Sequence, residues 1–297
     1  MDIVVFGAGS LGSLVGGLLA REHDVTLVGR DPHIAAVRES GLRLSGAVEE
    51  SATPDAATTP PDAADLAVVT VKAFDTEAAA AALAETALDA ALSLQNGMGN
   101  EETLAEALSC PVLAGTCTYG ARMVDPGHVE CTGIGDIALG ERAGGRSDVA
   151  DRVGQAVDGA GLETTVADDM PRRLWEKLAV NCGINAPTAL ARVQNGALVD
   201  GPASETARIA AREVAQVARD HGIDFSAMAA TTAVSQVART TAANTSSMAQ
   251  DVQAGNRTEV DAINGYVVAN ATDPVPVNET LANLVRAWET TVGVREA

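Results

Sequence analysis

Apolar and polar positions follow two rhythms along this chain, and the change falls near residue 167. Before it, short apolar runs alternate with helical stretches. Asp2 to Phe6 is apolar, Gly7-Ala8-Gly9-Ser10-Leu11-Gly12 follows, a helical stretch runs to about Arg21, and Asp24 to Val28 is a second strand. Asp31-Pro32 marks a helix start, with Asp31 as N-cap and the proline in the first turn. Residues 42–54 predict a strand pair turning at Gly46, and 51–61, rich in Ala, Thr and Pro, a loop. Strands are predicted at 66–71, 92–94, 112–118 and 163–166, helices at 75–90, 100–108 and 147–160, and a hairpin over 128–140. This alternation predicts an α/β domain over 1–167, a doubly wound parallel sheet of the Rossmann type. Beyond it only helical periodicity remains, over 171–186, 202–221, 226–238, 246–253, 258–271 and 278–292. An all-α C-terminal domain over 168–297 is therefore expected, and 297 residues suit two domains.

Composition narrows the partners. The chain carries 20 basic and 40 acidic residues, a net charge of −20, which disfavours nucleic acid and anionic membrane surfaces. Only seven residues are aromatic, so the core must be close-packed Ala, Val, Leu and Ile. The basic residues are 18 Arg and just two Lys, Lys72 and Lys177. Few lysines with many acids and abundant alanine resemble the composition of a salt-in halophile; a GC-rich genome is the alternative. A chain that has shed nearly all its lysines has kept those whose chemistry arginine cannot supply, since only lysine readily gives up a proton. Both lysines are candidates on this ground alone. The four cysteines show no metal-ligand spacing and read as small buried hydrophobes. No run of 18 apolar residues and no signal-peptide pattern occur, so a cytoplasmic protein is expected.

The glycine turn is informative because of its setting: it follows a strand and opens a helix in a βαβ unit. Its first glycine permits the turn, the second lets a pyrophosphate approach, and the third lets helix and strand pack. Gly7, Ala8, Gly9, Ser10, Leu11 and Gly12 are thus candidate cofactor contacts, with backbone N–H groups and the helix dipole facing the phosphates. At the end of the second strand stands Arg30, where a guanidinium can clamp a ribose 2′-phosphate. NADPH is preferred to NADH on that basis. Asp31 could serve a bare ribose, but the proline after it favours the helix cap.

In the C-terminal half, Lys177, Asn181 and Asn185 are spaced i, i+4, i+8 and lie within about 80° of one another on a helix, while Trp175, Leu178 and Cys182 share another face. A polar stripe on an otherwise apolar helix needs partners or a cleft; a solvated face is the alternative. Thr258 and Asp261 fit a capping box, predicting a helix start at Thr258 and a structural Asp261. Glu259 in that first turn is explained by the helix dipole alone, or by a site.

These segments together resemble the ketopantoate reductase family. The chain carries GAGSLG at 7–12, VKA at 71–73, QNGMG at 95–99, GTCTYGAR at 115–122, WEKLAVNCGIN at 175–185, QNG at 194–196 and SSMAQDV with RTEVDAINGY between 246 and 266. The similarity spans nearly the whole chain; the C-terminal blocks are specific, the glycine motif is not. The resemblance implies Lys177 as proton donor and Glu259 as the acid at the nicotinamide end. It implies Asn96, Asn181, Asn185, Asn195 and Ser247 as substrate contacts, and Lys72, Asn96 and Ala121 with Arg30 and the glycine turn as cofactor contacts. The implied reaction is NADPH-dependent reduction of ketopantoate to pantoate in pantothenate and coenzyme A biosynthesis, and the two lysines are expected in one site. Competing readings are a reductase of another small branched 2-keto acid and, from a different class, a dinucleotide-binding sensor without turnover. A homodimer is an expectation by analogy only.

Overall fold

The structure is a computed structural model describing residues 1–296. It divides into two compact units: Met1–Gln95 with Asn100–Met170, and Pro171 onward with the four residues Asn96–Gly99.

The first unit contains β1 (Asp2–Phe6), α1 (Ser10–Leu19), β2 (Asp24–Val28), α2 (His33–Ser40), β3 (Leu42–Gly46), β4 (Glu50–Ala52), β5 (Asp55–Ala57), β6 (Ala63–Val69), α3 (Thr76–Leu83), β7 (Ala87–Ser93), α4 (Asn100–Ala107), β8 (Val112–Cys117), β9 (Gly120–Asp125), β10 (His128–Gly133), β11 (Ile137–Glu141), α5 (Asp148–Gly159) and β12 (Thr164–Val166). Eight strands form one sheet in the order β12-β11-β8-β7-β6-β1-β2-β5, parallel except that β11 runs antiparallel to β8. This is the doubly wound arrangement, with its switch point where β1 meets β6. Alternate residues of β1 enter different cores: Ile3 and Val5 pack with Leu14 and Leu18 of α1, while Val4 packs with Ala67, Val69, Leu83 and Leu104. Both faces are covered, which is why these strands read as continuous apolar runs.

The unpredicted features have local causes. The expected loop at 51–61 contains β5, three residues that pair with β2 and form the sheet edge; so short a strand has no periodicity to show. The helix expected over 75–90 stops at Leu83, because Ala87–Ser93 is a strand between β6 and β8. Alanine favours helices intrinsically, but burial between parallel strands overrides that preference. The hairpin expected over 128–140 is instead β9 with β10, which joins β3 and β4 in a second, four-stranded sheet, while β11 returns to the large one.

The second unit is helical: α6 (beginning at Met170 and ending at Ala191), α7 (Pro202–Asp220), α8 (Ala227–Thr240), α9 (Ser247–Ala254), α10 (Asn264–Asn270) and α11 (Pro276–Thr291). Its core joins Trp175, Leu178 and Cys182 of α6 to Ala211 and Val214 of α7, Val234 of α8 and Val285 of α11. Buried Glu213 caps α11, accepting the N–H groups of Val277 and Asn278 at 2.9 and 2.8 Å. The predicted helix start at Thr258 does not form, and α10 begins at Asn264. Thr258 donates both its N–H and its hydroxyl to Glu289 Oε1, each at 2.7 Å, so the hydroxyl's proton goes to α11. No helix among the described residues is long and apolar enough to cross a membrane.

Candidate active site

In the first unit the turn between β1 and α1 has a shape that only glycine allows at two points. Gly7 has φ +114°, and a Cβ there would stand 2.6 Å from Val71 N. A Cβ on Gly12 would stand 2.2 Å from Gly7 O and 2.4 Å from Thr70 Oγ1, so the helix could not approach the strand. Gly9 differs: it is exposed, and a Cβ would meet only Gly7 O at 3.9 Å, leaving open space over the turn. No side chain caps α1 and its first turn holds no acid, whereas Ser147, Ser226 and Ser246 cap α5, α8 and α9. Orphan N–H groups at an uncapped helix start, beside a glycine with room above it, fit a phosphate anion. Ala8 is buried and donates its N–H to Val28 O at 2.9 Å. The Ser10 hydroxyl accepts the N–H of Met123 on β9 at 2.9 Å. Leu11 packs half-buried on the core, as does Ala121 opposite Cys131.

Arg30 follows β2 and is 86% exposed, its Nη2 2.9 Å from Asp75 Oδ2. Asp31 Oδ1 accepts the N–H of Ala35 at 3.1 Å and so holds the first turn of α2. Lys72 lies three residues past the end of β6, half-buried, at the carboxyl edge of the sheet. Asp75 carries no spacing signal, since the residue it meets is 45 positions away.

In the second unit the stripe on α6 is real but unevenly covered. Lys177 and Asn181 are half-buried and Asn185 is 6% exposed. Asn181 Nδ2 is buried and meets no hydrogen-bond partner among the described residues. Asn195 opens a 3-10 turn, donates Nδ2 to Thr241 Oγ1 at 2.9 Å, and its buried Oδ1 meets no hydrogen-bond partner among the described residues. At the start of α9, Ser246 is the cap: its Oγ accepts the N–H of Ala249 and shares a 2.7 Å hydrogen bond with Thr188 of α6. Ser247 beside it is exposed.

Glu259 is 6% exposed and accepts a 3.3 Å hydrogen bond from Asn96 Nδ2. The two residues are 163 positions apart and meet because Asn96–Gly99 packs on the helical unit. Met98 donates its N–H to Ala262 O at 3.0 Å, and Gly97, with φ +85°, lies too close to Ala262 for any Cβ. A charged network outside the predicted set flanks Glu259. On one side Thr258 is tied to Glu289, a carboxylate with no exposure. Arg295 bonds both Glu289 and Asp261, and Arg286 bonds Asp261 at 2.9 Å. Burial raises the Asp261 carboxyl pKa, but the hydrogen bonds and charges of Arg295 and Arg286 outweigh it and hold the group below the usual carboxylate range.

A glycine cradle at the switch point of a doubly wound sheet, in one chain with a helical unit that buries an unsatisfied amide on a lysine-bearing helix, belongs to the dinucleotide-dependent oxidoreductases. Comparison with known proteins narrows this class. Residues 3–144 match the family described as ketopantoate reductase PanE/ApbA, and residues 169–289 match its C-terminal domain. A 2-dehydropantoate 2-reductase of Halobacterium salinarum is 45% identical across 96% of this chain and 98% of its own length. One from Archaeoglobus fulgidus is 42% identical across 97% of each. Among solved structures, a PanE/ApbA family ketopantoate reductase from Ralstonia eutropha superposes with a TM-score of 0.89 at 32% identity, covering 98% of this chain and 99% of its own. A D-mandelate dehydrogenase solved with NADH and anilino(oxo)acetate superposes at 0.93 but at 23% identity, over 99% and 100% of the two chains, a likeness of fold alone. The chain belongs to the ketopantoate reductase family.

Proposed function

We propose that this chain reduces 2-dehydropantoate (ketopantoate) to pantoate with NADPH, a step of pantothenate and coenzyme A biosynthesis. In this reading residues 1–167 bind the dinucleotide and residues 168–297 bind the substrate and carry the chemistry. The observation that carries it is the buried, unpartnered Asn181 Nδ2, one helical turn from Lys177 on the same face of α6. A buried amide donor without a partner is costly unless a ligand completes it.

Bound NADPH supplies a hydride to the keto carbon. Negative charge then grows on the carbonyl oxygen, and the Lys177 ammonium stabilises that charge and gives the oxygen its proton. Arginine could offer the charge but hardly the proton. Asn181, Asn185, Asn195 and Ser247 hold the substrate carboxylate and hydroxyl without adding repulsive charge. Glu259, oriented by Asn96, keeps Lys177 charged and orders the nicotinamide side. The glycine turn from Gly7 to Gly12 holds the pyrophosphate through the N–H groups at the uncapped start of α1, since those of Gly7 and Ala8 already donate to Val28 O; Arg30 holds the 2′-phosphate, and Lys72 and Ala121 complete the cofactor contacts. The acidic composition and the Halobacterium relative support a salt-adapted cytoplasmic enzyme.

The test is NADPH oxidation in molar KCl with ketopantoate, ketoisovalerate and oxaloacetate in parallel. Ketopantoate should give the highest kcat/KM. A clear preference for another keto acid moves the assignment to that substrate, and no oxidation with any of them removes the reductase reading.

A further inference from the structure

We infer that Asp75 is a cofactor-specificity residue: by holding the Arg30 guanidinium, it lowers the preference for a 2′-phosphorylated dinucleotide over the unphosphorylated one. The inference rests on the proposed placing of Arg30 at the ribose 2′ position.

The geometry is specific. Arg30 stands just past β2, and its guanidinium meets Asp75 Oδ2 at 2.9 Å. Asp75 lies on the short turn that follows β6, and β6 and β2 flank β1 on either side. The backbone of that turn is set: the Asp75 N–H donates to Lys72 O at 2.8 Å, and Thr76 Oγ1 donates to Ala73 O at 2.9 Å. The acid beside Arg30 in the sequence, Asp31, is occupied by the N–H of Ala35. The acid that faces this guanidinium is therefore the one from the neighbouring turn.

A phosphate dianion seeks the two-pronged N–H face of arginine. Here one prong already donates to a carboxylate, and an arriving phosphate must displace that carboxylate or sit beside a like charge. A ribose 2′-hydroxyl suffers no such repulsion and can itself donate to the carboxylate. Asp75 thus subtracts from the affinity for one cofactor and not for the other. The pair is exposed, with side-chain accessibilities of 86% and 33%, so its own strength is small and a dianion can still compete. The preference is reduced rather than inverted. A second consequence concerns salt. Guanidinium and carboxylate together carry no net charge, so binding of a dianion should vary little with ionic strength. With the carboxylate neutralised the site is a cation, and binding should weaken as the screening length shortens.

The test is titration calorimetry, without turnover, of 2′,5′-ADP and 5′-AMP against the wild type, Asp75→Asn, Asp75→Ser and Arg30→Ala, across KCl from ~0.5 to ~3 M. Circular dichroism confirms that each variant is folded. Both Asp75 variants should tighten 2′,5′-ADP by roughly 3- to 10-fold, leave 5′-AMP unchanged or slightly weaker, and lose the gain as salt rises. Arg30→Ala should weaken 2′,5′-ADP alone. If Arg30→Ala behaves so but neither Asp75 variant changes the ratio of the two affinities, the inference falls and the placing of Arg30 stands. If Arg30→Ala leaves 2′,5′-ADP as in the wild type, the placing of Arg30 falls and the inference with it.

Discussion

Lys177 shows how much one side chain reveals through scarcity alone. It is one of two lysines among 20 basic side chains, and that rarity singles it out independently of any motif. Replacing it with alanine should lower kcat by ~10²–10⁴, the usual contribution of a general acid, while cofactor affinity measured by fluorescence stays near wild type. A near-normal kcat would remove it from the role. His33 shows the opposite case, a residue whose work is invisible in the sequence. Its Nδ1 accepts the N–H of Gly127 at 3.0 Å and its Nε2 shares a 2.9 Å hydrogen bond with Ser13 Oγ. Burial lowers its pKa from the ordinary 6.5. Protonation would take the lone pair that Gly127 uses, so the folded state resists the proton that the unfolded chain accepts. The stability this confers is present above about pH 6.5 and is lost as pH falls from there towards the folded-state value. Tm should decline over that window, and His33→Gln should flatten the decline.

At the scale of elements, pattern serves where an element satisfies itself and fails where a distant partner decides. The β1–α1–β2 unit is legible because apolar run, glycine turn and helix are adjacent in sequence. The strand at Ala87–Ser93 is hidden by its alanines, since its identity depends on β6 and β8 on either side. The capping-box pattern at Thr258 misleads because its two reciprocal bonds do not form: the Thr258 hydroxyl oxygen accepts the N–H of Val260, two residues on, the Thr258 N–H goes to Glu289, 31 residues on, and Asp261 is held by Arg286 and Arg295. That carboxylate holds the segment bearing Glu259 to α11, and its charge is completed by Arg295. Glu289→Ala leaves the Thr258 N–H and hydroxyl without their acceptor and Arg295 with Asp261 alone, and should cost about 2–4 kcal/mol in denaturant unfolding. Glu289→Gln, which keeps the shape and one acceptor, should cost less. Equal losses for the two variants would show that the charge, and not the shape or the remaining acceptor, is what holds this segment.

For the molecule as a whole, the charge of −20 acts on every element at once. In molar salt the screening length is about 3 Å and this self-repulsion is small; near 0.1 M it is about 10 Å and neighbouring carboxylates feel one another. Tm should therefore fall steeply as KCl is lowered, and a Tm independent of KCl would sink the salt-adapted reading. By itself the sequence determined the two rhythms of the chain, the glycine turn, the scarce lysines and the helical stripe of Lys177, Asn181 and Asn185, because each depends on spacing along one element. Only the tertiary structure decided that Asn96 meets Glu259, that Asp75 rather than Asp31 faces Arg30, and that Glu289 and Arg295 anchor the segment around Glu259. These pairs join charged or amide groups from separate elements, and short-range periodicity carries no information about which polar groups burial brings together.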